Sequence, residues 1–251
     1  MGIVKEEYTD SDYWNHYWQE EKRSDISFYF VDILNDNIEW SKVKTYMEIG
    51  GAPGSVMAYF HHKYNLSVST IDYTDYEITE SFLETHEVND YEIINADFLK
   101  LDIRTLKKYD IVASWGFVEH FSKEACNQII EKQKEMVSDN GYLIIELPNI
   151  RKVFWLMYFL FNRDLIKIHN LKIMDLRYLK ERVLVGDRFE IVCAGYDMSI
   201  NENNEYFITH KRQKELCKRL VKHIRKMNLH DSIKRWFFPY IVIIAKKKKE
   251  L

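Results

Sequence analysis

The stretch Tyr46-Met47-Glu48-Ile49-Gly50-Gly51-Ala52-Pro53-Gly54 constrains this chain more than any other. Apolar residues lead into it from Val43, and Val56, Met57 and Phe60 follow it at helical spacing. A strand that turns on glycines into a helix is how α/β folds bring backbone amides close to a ligand. Glycine has no Cβ to obstruct that approach, and Pro53 has the fixed φ suited to a first helical position. The helix start then offers unpaired N–H groups and a positive dipole end to an anionic or carboxylate group.

The chain that follows alternates apolar strands with helical segments. Residues 66–73 (LSVSTIDY) predict a second strand closing on Asp72. Asp72 lies near the ~20-residue spacing at which an acid ending that strand meets a ribose hydroxyl pair. Tyr73 beside it offers a flat face for an adenine. Residues 91–98 (YEIINADF) and 110–114 (DIVAS) predict a third and a fourth strand. Ser122 is placed to cap a helix whose apolar side carries Ile129, Ile130, Met136 and Val137. Asn140-Gly141 reads as a turn into a fifth strand over 142–147 (YLIIEL), closing at Pro148-Asn149. A helix from about Asp175 to Val185, stopped by Gly186, precedes strands at 190–198 and 240–245. Such alternation argues for a parallel sheet covered on both faces.

Two further segments carry aromatic or charged bias. Residues 8–40 are dense in aromatics and acids, and Ser11 or Asp12 is placed to cap a helix bearing Tyr13, Trp14, Tyr17 and Trp18. That helix either packs on a flank or forms a lid whose aromatics close over a ligand. Residues 211–226 read as a basic helix, either simply solvated or attracted to an anionic substrate or membrane surface. If it shares a face with the apolar run Val153–Phe161, docking to a membrane surface follows; otherwise that run is core or dimer interface.

Of the 251 residues 46% are hydrophobic, enough for a sizeable core in one large domain. A net charge of -3 speaks against nucleic acid as a partner, and the N/D-P-P-Y/F pattern of amino-directed DNA enzymes is missing. Three cysteines without C-x-x-C spacing suggest neither a disulfide framework nor a zinc site, but reduced thiols in a cytoplasmic protein. The apolar runs at 153–161 and 236–245 fall short of the ~20 residues that span a bilayer. The first residues lack the apolar core of a signal peptide. The expected organisation is one domain over 1–251: an aromatic helical lid (1–40), a ligand-binding core (41–150), an insertion (150–186), and a strand pair enclosing the basic helix (187–251). A monomer or homodimer is expected.

Glu48 to Gly54 fits the E/D-x-G-x-x-x-G signature, whereas G-x-G-x-x-G fails because Ala52 and Ser55 stand where its later glycines would fall. With Asp72, Asp97-Phe98 and the segment D-I-V-A-S-W-G-F-V-E-H-F (110–121), the chain resembles class I, Rossmann-like S-adenosylmethionine-dependent methyltransferases. Softer cues, Tyr13-Trp14, Pro148-Asn149-Ile150-Arg151 and His169-Asn170-Leu171-Lys172-Ile173-Met174-Asp175, resemble a bacterial subgroup that methylates small molecules, sugars or glycan precursors. The resemblance implies a three-layer α/β sandwich whose seven-stranded sheet is mostly parallel, with the last strand antiparallel and helical lid insertions. It also implies S-adenosyl-L-methionine as cofactor, with S-adenosyl-L-homocysteine as product. Gly50, Gly51, Ala52 and Gly54 would admit the methionine moiety, and Glu48 and Asp72 would bind polar ligand groups. Tyr73, Asp97 and Phe98 would hold the adenine, Ser114 and Trp115 would border the sulfonium, and Tyr17 would close over the cofactor. The implied acceptor is a hydroxyl of a sugar or glycan intermediate. The alternatives are N-methylation of a small-molecule or lipid-linked acceptor, and a non-catalytic partner protein that binds the cofactor.

Methyl transfer is an in-line displacement at an already activated carbon, so positioning supplies up to ~7–11 kcal/mol of the barrier. A hydroxyl nucleophile needs a general base as well, worth ~10²–10⁴-fold. His120 is the first candidate and His169 the second; each has the alternative of bracing its own loop. The remaining histidines, including the His61-His62 pair expected to be solvated, have no metal-ligand spacing, and no metal is expected.

Overall fold

The computed structural model describes residues 9–21, 25–198, 223, 227 and 229–249. Its strands are β1 (Thr45–Ile49), β2 (Ser67–Asp72), β3 (Tyr91–Asn95), β4 (Tyr109–Trp115), β5 (Val137–Pro148), β6 (Phe189–Asp197) and β7 (Tyr240–Lys247). They form one seven-stranded sheet in the order β3-β2-β1-β4-β5-β7-β6. β1 to β5 pair in parallel, whereas β7 runs antiparallel between β5 and β6. The sheet is thus mixed but mostly parallel, with the last strand reversed, as expected.

β1 is the middle of the parallel part, with Tyr46 facing Val68 on one side and Ile111 on the other. Four of its five residues are buried, which explains its near-continuous apolar character. Each face of the sheet carries its own core. On one face Met47, Val112 and Leu143 pack under the helices α5 (Lys123–Met136) and α8 (Leu176–Leu184). On the other, Tyr46, Val68 and Ile144 pack under α2 (Val31–Asn35), α3 (Ser55–Tyr64) and α4 (Tyr76–Thr85).

Several local readings need correction. The N-terminal helix α1 (Ser11–Glu20) is capped by Asp10, not Ser11 or Asp12, because the Asp10 carboxylate accepts the Tyr13 N–H at 2.9 Å. Pro53 lies outside α3. The turn closes when the Gly54 N–H donates to the Gly51 carbonyl at 2.7 Å, and Gly54 caps the helix with φ +105°, so Ser55 is the first helical residue. Helix α4 was not anticipated; only Thr79, Phe82 and Leu83 are buried, among acids that obscure the apolar face. Asn140-Gly141 does not start the fifth strand. β5 begins at Val137 and takes its extra residues as a bulge against β4, with Asn140 at φ +61°. By contrast, Ser122 does cap α5, accepting the Ala125 N–H at 3.1 Å.

The insertion after β5 folds as α6 (Val153–Phe161), α7 (Arg163–Lys167) and α8, the last capped by Asp175. Trp155, Leu156, Phe159 and Leu160 of α6 are exposed, Leu160 by 62%, so this run is not core. A further helix, α9 (Asp231–Phe237), precedes β7. The predicted basic helix 211–226 lies outside the described residues, apart from position 223.

Candidate active site

Beyond the carboxyl ends of β1, β2 and β4 lies a cavity of about 240 Å³. A crevice at this end is where α/β sheets bind ligands. Its base is the glycine turn. Gly50 sits at φ +77°, and a Cβ there would stand 2.3 Å from Phe117 Cδ2, so no side chain fits between the turn and that ring. Asp72 anchors the turn from the neighbouring strand: its carboxylate accepts the Ala52 N–H at 3.0 Å and the Thr74 N–H at 2.9 Å. Burial raises the Asp72 pKa, and these backbone donors oppose the rise.

A second acid, Glu48, is held from below. Trp115 Nε1 donates to the Tyr46 hydroxyl at 2.9 Å, and that hydroxyl donates to Glu48 Oε2 at 3.1 Å. Burial drives the Glu48 pKa well above its ordinary value, and the nearby Asp72 adds to the effect. Trp115 is fixed by a stacked Phe30 ring at 5.3 Å and an edge-on Phe28 ring at 4.8 Å. Glu48, Asp72 and the aromatic rings line the cavity, and among the described residues no lysine or arginine does.

The mouth is covered by α1. Trp14, Tyr17 and Trp18 line the cavity, and Trp14 packs edge-on against the His120 ring at 4.9 Å. Asn15 Oδ1 accepts the Asp75 N–H at 2.7 Å, which ties α1 to the chain just after β2. The aromatics of α1 therefore face the cavity, not a remote flank.

His120 follows β4 on a 3-10 turn, Val118–His120. Its Nδ1 bonds to the Ile168 carbonyl at 2.9 Å, and its Nε2 lies 3.8 Å from Glu119 Oε1. Burial, with the adjacent His169, lowers its pKa to about 3, although the Ile168 and Gly116 carbonyls oppose this. The imidazole is accordingly neutral. The His169 ring lies 4.7 Å from it, tilted by 44°, with its own Nδ1 bonded to the Leu165 carbonyl, and burial lowers its pKa as well. Glu119 is pushed up to about 8 by burial. Glu146, whose Oε2 accepts the Gly116 N–H at 3.0 Å, is also raised by burial and by Glu119.

Among the predicted residues, Tyr17, Glu48, Gly50, Ala52, Asp72, Tyr73, Trp115 and His120 meet at this cavity. Gly51 and Gly54 instead pack inward, against Thr70 and Leu83. Ser114 is fully buried and does not line the cavity. Asp97 and Phe98 do not line it either. The Phe98 ring belongs to the core on the α5 side, and Asp97 accepts the Leu99 N–H and pairs with Lys100 at 2.6 Å. His61 and His62 are not simply solvated, since their rings bond to the carbonyls of Leu66 and His86. Sequence reasoning did not single out Thr74, Gly116 and Phe117 as lining residues. Gly116 and Phe117 had a signal, their position between the fourth strand and His120; Thr74 had only its place after Tyr73.

Neither a protein-family model nor a curated protein matches the sequence. Solved structures share its fold. An O-methyltransferase family protein from Burkholderia thailandensis superposes over 88% of this chain with a TM-score of 0.56 at 12% identity, and the chain spans 56% of that protein. A putative sarcosine dimethylglycine methyltransferase from Galdieria sulphuraria gives 0.58 at 11% identity, over 97% of this chain and 100% of the other. The N-methyltransferase NodS from Bradyrhizobium japonicum WM9 gives 0.51 at 10% identity, over 94% and 99%.

Proposed function

We propose that the protein transfers a methyl group from S-adenosyl-L-methionine to a hydroxyl of a small polar acceptor, a sugar or glycan intermediate. The observation that carries this reading is the lining of the cavity: two buried carboxyl groups, Glu48 and Asp72, aromatic rings, and, among the described residues, no lysine or arginine. Such a lining suits a ligand bearing a sulfonium and an ammonium, because aromatic faces attract cations and the carboxyl oxygens can accept from an ammonium. It disfavours a dinucleotide, whose pyrophosphate would meet acids and, among the described residues, no lysine or arginine. The shared fold of O- and N-methyltransferases supports the same reading.

In this reading Gly50 and Ala52 admit the methionine moiety, Asp72 and Tyr73 take the ribose and adenine, and Trp115 borders the sulfonium. α1 excludes water once the cofactor is bound. His120 is the residue at which the acceptor's proton is handled, with His169 behind it. Residues 41–150 supply the cofactor seat, and 1–40 and 150–186 the acceptor walls. The free thiols of Cys126 and Cys193 fit a reducing cytoplasm.

A lipid-linked acceptor is the second reading, favoured by the exposed apolar residues of α6 beside Trp236 and Phe237 of α9. Lys152 lies over the Trp236 ring at 4.8 Å and Arg163 over Phe159 at 4.3 Å, giving that patch a cationic rim suited to an anionic bilayer surface. No helix among the described residues is long and apolar enough to cross a membrane.

Saturating S-adenosylhomocysteine should raise the melting temperature of the purified protein by several degrees. An unchanged melting curve would sink the transferase reading. Labelled-methyl transfer from S-adenosylmethionine into fractionated cell extract then identifies the acceptor class.

A further inference from the structure

We propose that Glu119, His120 and His169 together hold a divalent transition-metal cation at the cavity wall formed by His120, with Glu119 and His169 behind that wall. The three side chains are buried, and their candidate ligand atoms all lie within 4.8 Å of one another. His120 Nε2 and Glu119 Oε1 are already 3.8 Å apart. Donors about 2.0–2.2 Å from a tetrahedral ion stand roughly 3.4 Å from each other. Closure around an ion therefore takes side-chain shifts of about 1 Å, without backbone movement.

The hydrogen bonding around the cluster is that of a ligand set. A carbonyl can only accept, so Nδ1 of His120 carries the proton it gives to Ile168, and Nδ1 of His169 the one it gives to Leu165. A neutral ring so protonated has its lone pair on Nε2; at His120 the Gly116 carbonyl is a second acceptor that an ion would have to displace. Imidazoles that coordinate metals usually donate their other N–H to a backbone carbonyl or carboxylate in this way. Glu119 supplies the independent sign of a missing partner. Its side chain is 1% exposed, and Oε2 finds no hydrogen-bond donor. Leaving a buried carboxyl oxygen without a donor is costly, and among the described residues no lysine or arginine pairs with Glu119.

The backbone holds the three ligands in place although His169 is distant in sequence. The Asn170 N–H donates to the Glu119 carbonyl at 2.7 Å, and Asn170 Nδ2 donates to the Phe121 carbonyl at 2.9 Å. With the His120–Ile168 bond, these stitch 168–170 to 119–121 on both sides of the site.

Two imidazoles and one carboxylate suit Zn²⁺, Mn²⁺, Fe²⁺ or Co²⁺ better than Mg²⁺ or Ca²⁺. Three protein ligands leave at least one position open for water or an acceptor oxygen. With the ion bound, His120 is a ligand and not a free base; the ion would acidify a coordinated hydroxyl, whose proton passes to water. That use of the site rests on the methyltransferase reading, whereas the site itself does not.

The test uses the full chain, freed of metal by a chelator and titrated with Co²⁺ alone. One equivalent should bind with a visible d–d band of low-symmetry coordination. Glu119→Gln and His169→Ala should each weaken binding at least tenfold while circular dichroism stays native, and the exposed His223→Ala should bind as wild type. Absence of a band in the folded wild type would overturn the proposal. So would an undiminished band in either folded ligand variant. The S-adenosylhomocysteine melting shift is read separately. Its loss with the Co²⁺ band intact removes the transferase reading and keeps the metal centre, and the reverse result removes only the centre.

Discussion

Gly50 and Glu48 show how much of the site depends on single atoms. A methyl group added at Gly50 would meet Phe117 at 2.3 Å in a backbone conformation that L residues rarely adopt. Gly50→Ala should therefore cost about 2–4 kcal/mol and abolish the S-adenosylhomocysteine shift, both visible in one melting experiment. Glu48 makes a pH prediction. Its pKa is raised in the folded protein by burial and by Asp72, so the fold keeps a proton that the unfolded chain releases. The stability this contributes is full below about pH 4.5 and is lost as the pH rises toward the folded value. The ligand-free protein should melt at a lower temperature at about pH 8 than at about pH 5, and Glu48→Gln should flatten that slope. An equal slope in wild type and variant would remove Glu48 from the account. At this scale the sequence was legible where geometry is local. Gly50 and Asp72 obey a strand-turn-helix spacing, and they meet through Ala52 as that spacing requires. Phe98 does not obey one: β3 ends at Asn95, and the chain then turns so that the ring drops into the core.

Among the elements, α1 and α8 illustrate opposite ways of being held. No residue of α1 is buried, and its aromatics spend their surface on the cavity. Trp14→Ala should leave global stability within about 1 kcal/mol of wild type but weaken S-adenosylhomocysteine binding, read by calorimetry as a higher Kd. An unchanged Kd would deny α1 its lid role. Helix α8 is held through its cap. Asp175 accepts from the N–H groups of Arg177 and Tyr178 and pairs with Arg151 at 3.0 Å and Arg235 at 3.2 Å. Burial works against its charge, but these partners keep its pKa below the ordinary value. Asp175→Ala should cost about 1–2 kcal/mol, and Asp175→Asn, which keeps the cap and loses the ion pairs, should recover most of it. Capping was readable from sequence at Ser122 and misplaced by one or two residues at Asp10, where three adjacent polar residues compete for one role. Glu119, His120 and His169 were unreadable as a group. Nothing local relates them, because the bonds through Ile168 and Asn170 exist only in the folded chain.

For the whole molecule, α6 and α9 present one apolar surface with a cationic rim. Flotation with anionic vesicles should retain the wild type and lose a Leu160→Glu, Trp236→Glu double variant whose melting temperature is unchanged, since both side chains are exposed. Persistence of the variant on vesicles would exclude this surface. A concentration-dependent mass in its place would point to a second copy of the chain. The topology has one more consequence, for the order of events during synthesis. Among the described strands β6 pairs with β7 alone, and β7 is the last of the seven in the sequence. The cavity-lining residues, 14 to 121, all leave the ribosome earlier and can associate while β5 still has an open edge. Completion therefore belongs to residues 240–247, which must slot between two waiting strands like a keystone set after both sides of an arch.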